Sequence, residues 1–158
     1  MEYDVEIVLL SNKFIADYPQ NKYPELMIKQ GRPYSCLIVE THYGYFICIP
    51  FRSSIPHNNA YIFKNSARSR RSRSGLDYSK VVLIKNADYI DSSNAIVDKD
   101  EYNETFDNMQ RIVRNVTEYI EDYVNHMNGT NVLHIRDFNR KYKFCTLPYF
   151  HDILGIKT

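Results

Sequence analysis

The hydrophobic period of this chain changes once, from two residues to between three and four, and that change restricts the fold class more than any other feature of the sequence. Up to about residue 90 the apolar stretches are short and β-branched. Tyr3 to Leu10 alternates as a strand, after which Ser11 is placed to cap a short helix running to about Tyr18. Tyr34 to Pro50 holds two β-branched and aromatic runs around a turn at Tyr43-Gly44, which predicts a hairpin. Ala60 to Phe63 and Val81 to Lys85 read as further strands, and Lys85 to Ile90 as another before a turn at Ser92-Ser93-Asn94. Beyond these, Phe106, Met109, Val113, Val116, Ile120, Tyr123, Val124 and Met127 recur at helical steps, predicting one long helix. The segment begins in acids, Asp100, Glu101, Glu104 and Asp107, which suit the positive end of the helix dipole, and Gly129 ends it. A second helix over Val132 to Tyr142 and a short one over Pro148 to Leu154 follow. Strands first and helices later, without strand-helix alternation, predict an α+β fold: a compact, strongly curved antiparallel sheet or open barrel packed by helices, with the long helix in the C-terminal third.

At 158 residues the chain has the size of one domain, and no Pro-rich or Gly-rich linker divides residues 1–158. No apolar run approaches the ~20 residues needed to cross a bilayer. Met1-Glu2-Tyr3-Asp4 puts acids where a secretory signal needs positive charge, so a cytoplasmic protein with no membrane partner is expected. Cys36, Cys48 and Cys145 are odd in number, at spacings that match no zinc or redox motif, and read as buried free thiols. No pair of histidines has metal-ligand spacing, so neither a metal nor another cofactor is expected.

The net charge of +1 hides an uneven distribution. From Lys64 to Lys80 the chain carries Lys64, Arg68, Arg70, Arg71, Arg73 and Lys80 against Asp77 alone, the footprint of a polyanion-binding surface. The Arg/Ser run Ala67 to Gly75 is expected on a loop, whereas Lys80, at the entry to the next strand, would project from a rigid element. A second cluster leaves the hairpin at Arg52, Ser53, Ser54, His57 and Asn59. Arginine offers a planar fork of donors to phosphate, hydroxyls and amides complete a shell, and an imidazole can move protons near neutral pH. RNA carries its own nucleophile, the 2′-hydroxyl, so a metal-free site needs only alignment, proton transfer at each end and cations on the pentavalent phosphate. Arg52, Ser53 and His57, with Lys80 or Arg32, could supply these. Most of the fourteen tyrosines and eight phenylalanines belong in a core, but Tyr18, Tyr23, Tyr34 and Tyr78 flank loops or basic segments, where bases can stack. The same residues also permit plainer readings: a solvated polar loop, a solubilising charged run, or a structural protein whose Arg/Ser run recruits a protein partner.

The succession Arg32-Pro33-Tyr34, then Tyr45 to His57, the Lys64 region and Gly75 to Val82 resembles the toxins of type III toxin-antitoxin pairs, closest to the CptN branch beside ToxN and AbiQ. The similarity extends over most of the chain and is strongest from Ile49 to Lys80. It implies a core related to the MazF/Kid toxins and metal-independent, sequence-selective cleavage of cellular or phage RNA, leaving 2′,3′-cyclic phosphate and 5′-hydroxyl ends. It further implies inhibition by an RNA antitoxin, a pseudoknot cut from a tandem-repeat transcript, which joins the toxin in closed rings of alternating protein and RNA. The resemblance assigns catalysis to the segment holding Arg52 and Ser53, to which His57 and Lys80 are added. RNA contacts are expected at Lys29, Arg32, Tyr34, Ser54, Asn59, Lys64, Arg68, Arg70, Arg71, Arg73 and Tyr78. Family members carry a lysine shortly after the serine where this chain has Ile55 and Pro56, so Arg52, Lys80 and Arg32 compete for the transition-state cation. A non-catalytic RNA-binding module using the same surface is the alternative.

Overall fold

The central hairpin organises the sheet. In the computed structural model, which describes residues 5–29, 34–91 and 95–157, β2 (Ser35–Glu40) and β3 (Phe46–Arg52) pair antiparallel as expected. Gly44 takes φ +81° in their turn, a left-handed value that favours glycine. β1 (Val5–Leu10) adds to β2, and Ser11 caps the following helix α1 (Asn12–Asp17) by accepting from the Phe14 N–H at 3.3 Å. Cys36 to Val39 and Ile47 to Ile49 are buried without alternation, the pattern of strands covered on both faces. All three cysteines are free and buried.

The outer edge of β3 is divided between two short strands. β6 (Val82–Ile84) pairs with its first half and β5 (Gly75–Asp77) with its last two residues, and β4 (Ala60–Ile62) lies outside β5. Pro50, which has no N–H to donate, stands between the two pairings. The chain passes from β5 to β6 through a single 3₁₀ turn, Tyr78–Lys80, and this turn carries Ser79 and Lys80 to the place where the sheet divides. With β7 (Ile90–Asp91) on β1, the described residues form seven antiparallel strands in an open sheet. The fold is α+β, and the sheet does not close into a barrel.

Three expectations require correction. Lys85 to Ile90 forms a 3₁₀ turn, Ala87–Tyr89, rather than a strand, because the Asn86 side chain accepts the Asp88 N–H at 2.9 Å and bends the backbone; only Ile90 and Asp91 pair. The predicted long helix is two helices. The Arg/Ser run is helical. The predicted turn at Ser92-Ser93-Asn94 lies outside the described residues.

The run forms α2 (Ala67–Ser72). Its serines support the helix: Ser66 caps it by accepting from the Ser69 N–H at 2.9 Å, and Ser72 Oγ donates to the Arg68 carbonyl at 3.0 Å. Acids expected at the start of a long helix instead occupy α3 (Lys99–Asp107), where they hold this region in place. Asp100 accepts from the Ala67 N–H, Glu101 from Ser66, Ser74 and Arg68, and Glu104 from the Tyr61 hydroxyl and the Lys64 N–H. α3 ends at Asn108, whose side chain donates to the Glu104 carbonyl at 2.8 Å, and α4 (Met109–Met127) starts afresh. Ile112, Val113, Val116, Tyr119, Ile120 and Tyr123 of α4 are buried, whereas Phe106 and Met127, assigned to the same apolar face, are exposed. α5 (Ile135–Tyr142), a 3₁₀ turn (Leu147–Phe150) and α6 (His151–Leu154) follow as expected. No helix among the described residues is long and apolar enough to cross a membrane.

Candidate functional site

β3 and β5 run antiparallel, with Arg52 opposite Gly75, and Arg52 reaches along β5 to make an ion pair with its last residue, Asp77. Arg52 Nη1 donates to Asp77 Oδ2 at 2.5 Å. The other oxygen, Oδ1, accepts from the Ser79 N–H at 2.9 Å and the Ser79 hydroxyl at 2.6 Å, and lies 3.2 Å from His57 Nε2. Asp77 is fully buried, while Arg52 and His57 keep 19% and 26% of their side chains exposed, so the carboxylate is the concealed centre of a polar cluster that faces outward. Burial pushes the Asp77 carboxyl up, but hydrogen bonds from His57 and Ser79 and the nearby charge of Arg52 outweigh it and hold it below its ordinary value.

Both nitrogens of His57 are engaged. Nδ1 accepts from the Asn59 N–H at 3.0 Å, so the proton of the neutral ring sits on Nε2, beside Asp77 and Ser79 Oγ at 3.0 Å. Ser79, His57 and Asp77 are therefore not a nucleophilic triad, in which serine and carboxylate meet opposite nitrogens; here both meet Nε2. In this arrangement His57 orients the Asp77 cluster.

The lowered Asp77 value gives a signed expectation for acid stability. A carboxylate held below its unfolded value of about 3.9 stabilises the fold above that pH, and the contribution is lost as pH falls through the native value. Urea titrations from pH 7 downward are expected to show a stability loss beginning at about pH 4 that is shallower in Asp77→Asn. Identical acid limbs in the two proteins would contradict the assignment.

A cleft of about 990 Å³ opens in front of this cluster. Arg52, Ser53, Ser54, His57, Asn59 and Ser79 line it on the cluster side, with Lys29 and Tyr34 on another wall. Arg68 reaches it from α2, while Lys141, Lys143 and Phe144 enter from the end of α5. Lys80 is buried in its floor, donating to Glu25 Oε1 at 2.9 Å and to the Phe144 carbonyl at 2.5 Å. Seven lysines and arginines line the cleft against one lining carboxylate, Glu25; five of them are ion-paired, with Asp77, Glu101, Glu25, Asp137 and Asp122, so among the described residues the surplus of positive charge that favours an anionic ligand rests on Lys29 and Lys143. Ion pairs with residues behind the wall, Arg68 with Glu101 at 2.7 Å and Lys141 with Asp122 at 3.0 Å, fix two of these cations in place.

No family model, curated protein or solved structure matches this chain. Functional assignment therefore rests on the chemistry of the cleft.

Of the residues expected at an RNA site, Lys29, Tyr34, Arg52, Ser53, Ser54, His57, Asn59, Arg68 and Lys80 converge on this cleft. The corner at Ser54 and Ile55 is hydrogen-bonded directly to the Ser72 and Arg73 carbonyls, which puts the serine corner and the arginine helix side by side. Other residues go elsewhere. Tyr78 is buried in the core and has no ring face to offer a base. Lys64 borders a separate hollow with Arg111 and Asn115. Arg73 braces the 53–59 loop, donating to the His57 carbonyl and Asn58 Oδ1 at 2.7 and 2.8 Å. Arg70 and Arg71 are exposed on α2 outside the cleft, and Arg32 lies outside the described residues. Sequence reasoning missed Asp77 as the organising anion and Lys141, Lys143 and Phe144 as cleft residues. The basic stretch Arg136, Arg140, Lys141 and Lys143, with Asp137 its one acid, was a signal for the second group.

Proposed function

We propose that this cleft binds and cleaves RNA, and that the chain is the endoribonuclease toxin of a type III toxin-antitoxin pair, of the CptN branch, with a core related to that of the MazF/Kid toxins. The observation that supports RNA as ligand is the convergence of arginine, lysine and serine side chains on one cleft with a single lining carboxylate. Arg52 spends Nη1 on Asp77, and the rest of its planar fork is available to a phosphate among the described residues. Exposed Ser53 and Ser54 stand beside it as hydroxyl donors. In the reaction, the 2′-oxygen attacks the adjacent phosphorus and the bond to the 5′-oxygen breaks. The 2′-hydroxyl loses its proton and the leaving 5′-oxygen gains one, giving a 2′,3′-cyclic phosphate and a 5′-hydroxyl. Arg52 and Lys80 supply positive charge for the pentavalent phosphate. His57 can serve as the proton-transfer group only by releasing the Asn59 N–H from Nδ1. The partners in this reading are a pseudoknot antitoxin RNA, bound in closed rings with the toxin, and cellular or phage RNA as substrate. Tandem repeats upstream of the coding region are its genetic corollary.

The engaged ring of His57 favours one second reading, an RNA-binding module without catalysis. Incubation of purified protein with RNA in EDTA separates the two. The toxin reading expects fragments with cyclic phosphate and 5′-hydroxyl ends, with cleavage at least tenfold slower in Ser53→Ala, an exposed position whose change leaves the fold intact, and in Arg52→Ala, checked for folding by circular dichroism. RNA that is bound with steep salt dependence but stays whole supports the binding module. Absence of salt-dependent binding removes both.

A further inference from the structure

Lys80 joins two turns: its ammonium donates both to Glu25 Oε1 and to the Phe144 carbonyl. Each turn presents a large apolar side chain next to that anchor. Met27 follows Glu25 by two residues and is 39% exposed; Phe144 is 62% exposed. Both line the cationic cleft. Isolated exposed apolar residues are common on protein surfaces. Two that line one cationic cleft, beside a buried cation that holds the Glu25 carboxylate and the Phe144 backbone carbonyl, form a built feature. The Lys143 ammonium lies over the Phe144 ring, 5.3 Å from its centroid, which brings a cation within reach of the phosphate of a nucleotide whose base stacks on the ring's other face. Neither side chain offers a hydrogen bond, so the pair discriminates by shape and π-surface rather than by base edge.

We propose that Phe144 and Met27 form a base-stacking subsite at the mouth of the cleft, which makes unpaired RNA, with its bases free to leave the stack, the substrate class of this protein. The inference rests on the RNA reading above and adds to it a strand state and two specificity residues. Duplex RNA keeps its bases stacked inside the helix and shows a protein mainly sugar and phosphate, so it cannot use this subsite.

The test uses short 2′-O-methyl oligonucleotides, which lack the nucleophile and so report binding without cleavage. One is fully based with 2-aminopurine as a fluorescent base; the other is abasic, with the same number of phosphates. Phe144→Ala is expected to raise the Kd for the based strand about tenfold, in line with the loss of one stacked base, to relieve 2-aminopurine quenching, and to leave the Kd for the abasic strand unchanged. Phe144→Tyr keeps a ring and is expected to retain wild-type affinity, and Met27→Ala to weaken only the based strand. Phe144→Ala weakening both strands equally, or neither, overturns the subsite while leaving RNA binding in place. If wild type binds neither strand, the RNA reading falls and the subsite with it.

Discussion

Replacing Asp77 with alanine is expected to lower the free energy of unfolding by about 3 kcal/mol, and the melting temperature by roughly 10 °C, while dispersing the cleft wall. Breaking a buried ion pair from one side costs about 3–5 kcal/mol because the remaining charge is left uncompensated. Here the remaining charge, Arg52, is 19% exposed, so water recovers some of the loss and the lower end applies. Ser79 loses the acceptor of both its N–H and its hydroxyl in the same substitution. Asp77→Asn, with its one oxygen kept for the Ser79 N–H, turns an amide NH₂ toward Arg52 and should fall between wild type and alanine. Urea denaturation at neutral pH measures the stability change, and RNA binding by the folded variant measures the consequence at the cleft. Asp77→Ala with an unchanged urea midpoint and unchanged RNA affinity would show that this carboxylate does not organise the site.

The residues that were hardest to read are those whose structure is set by partners far along the chain. The hairpin from Ser35 to Arg52 was legible because its apolar and β-branched runs and the turn glycine all favour the same local structure. β5 was not: Gly-Leu-Asp has little intrinsic strand preference and pairs because β3 and β4 flank it. The Arg/Ser run looked like a loop because like charges and serines weaken an isolated helix. Its helix depends on Asp100 and Glu101, some thirty residues away, which cap and neutralise it. In the same way, the helical period from Phe106 to Met127 concealed the break at Asn108, since residue spacing does not record that the Asn108 side chain caps one helix at the Glu104 carbonyl before the next begins. At the site, Arg52, Ser53 and His57 were legible as a polar cluster at a strand end. That Asp77 joins them, and that Phe144 and Lys143 close the other side, depended on strand pairing and helix packing that no local pattern records.

Gly75→Ala should be the most damaging single methyl in the sheet, lowering stability by about 3 kcal/mol and disturbing the cleft with it. A Cβ at this position would lie 2.1 Å from the Tyr61 carbonyl oxygen, 3.0 Å from its carbon and 3.1 Å from Ile62 Cα. All three are backbone atoms, so no side-chain rotation relieves the overlap and β4 must move away from β5. Gly75 is paired on both sides, with Ile62 of β4 and Arg52 of β3, so the displacement acts directly on the arginine of the cluster. Asp77 lies two residues further along the same strand, and Ser79 and Lys80 follow on the next turn. A methyl that touches no cleft residue should therefore weaken RNA binding as well as the fold. Gly129→Ala is the control: it carries a left-handed backbone, φ +76°, but nothing lies within 4 Å of an added Cβ, so only the ordinary penalty of about 1 kcal/mol applies. Thermal melts of the two variants should rank Gly75→Ala well below Gly129→Ala, and RNA affinity should drop only in the first. Equal melting temperatures would mean that β4 is free to shift, and that the cluster does not depend on the close approach of the two strands.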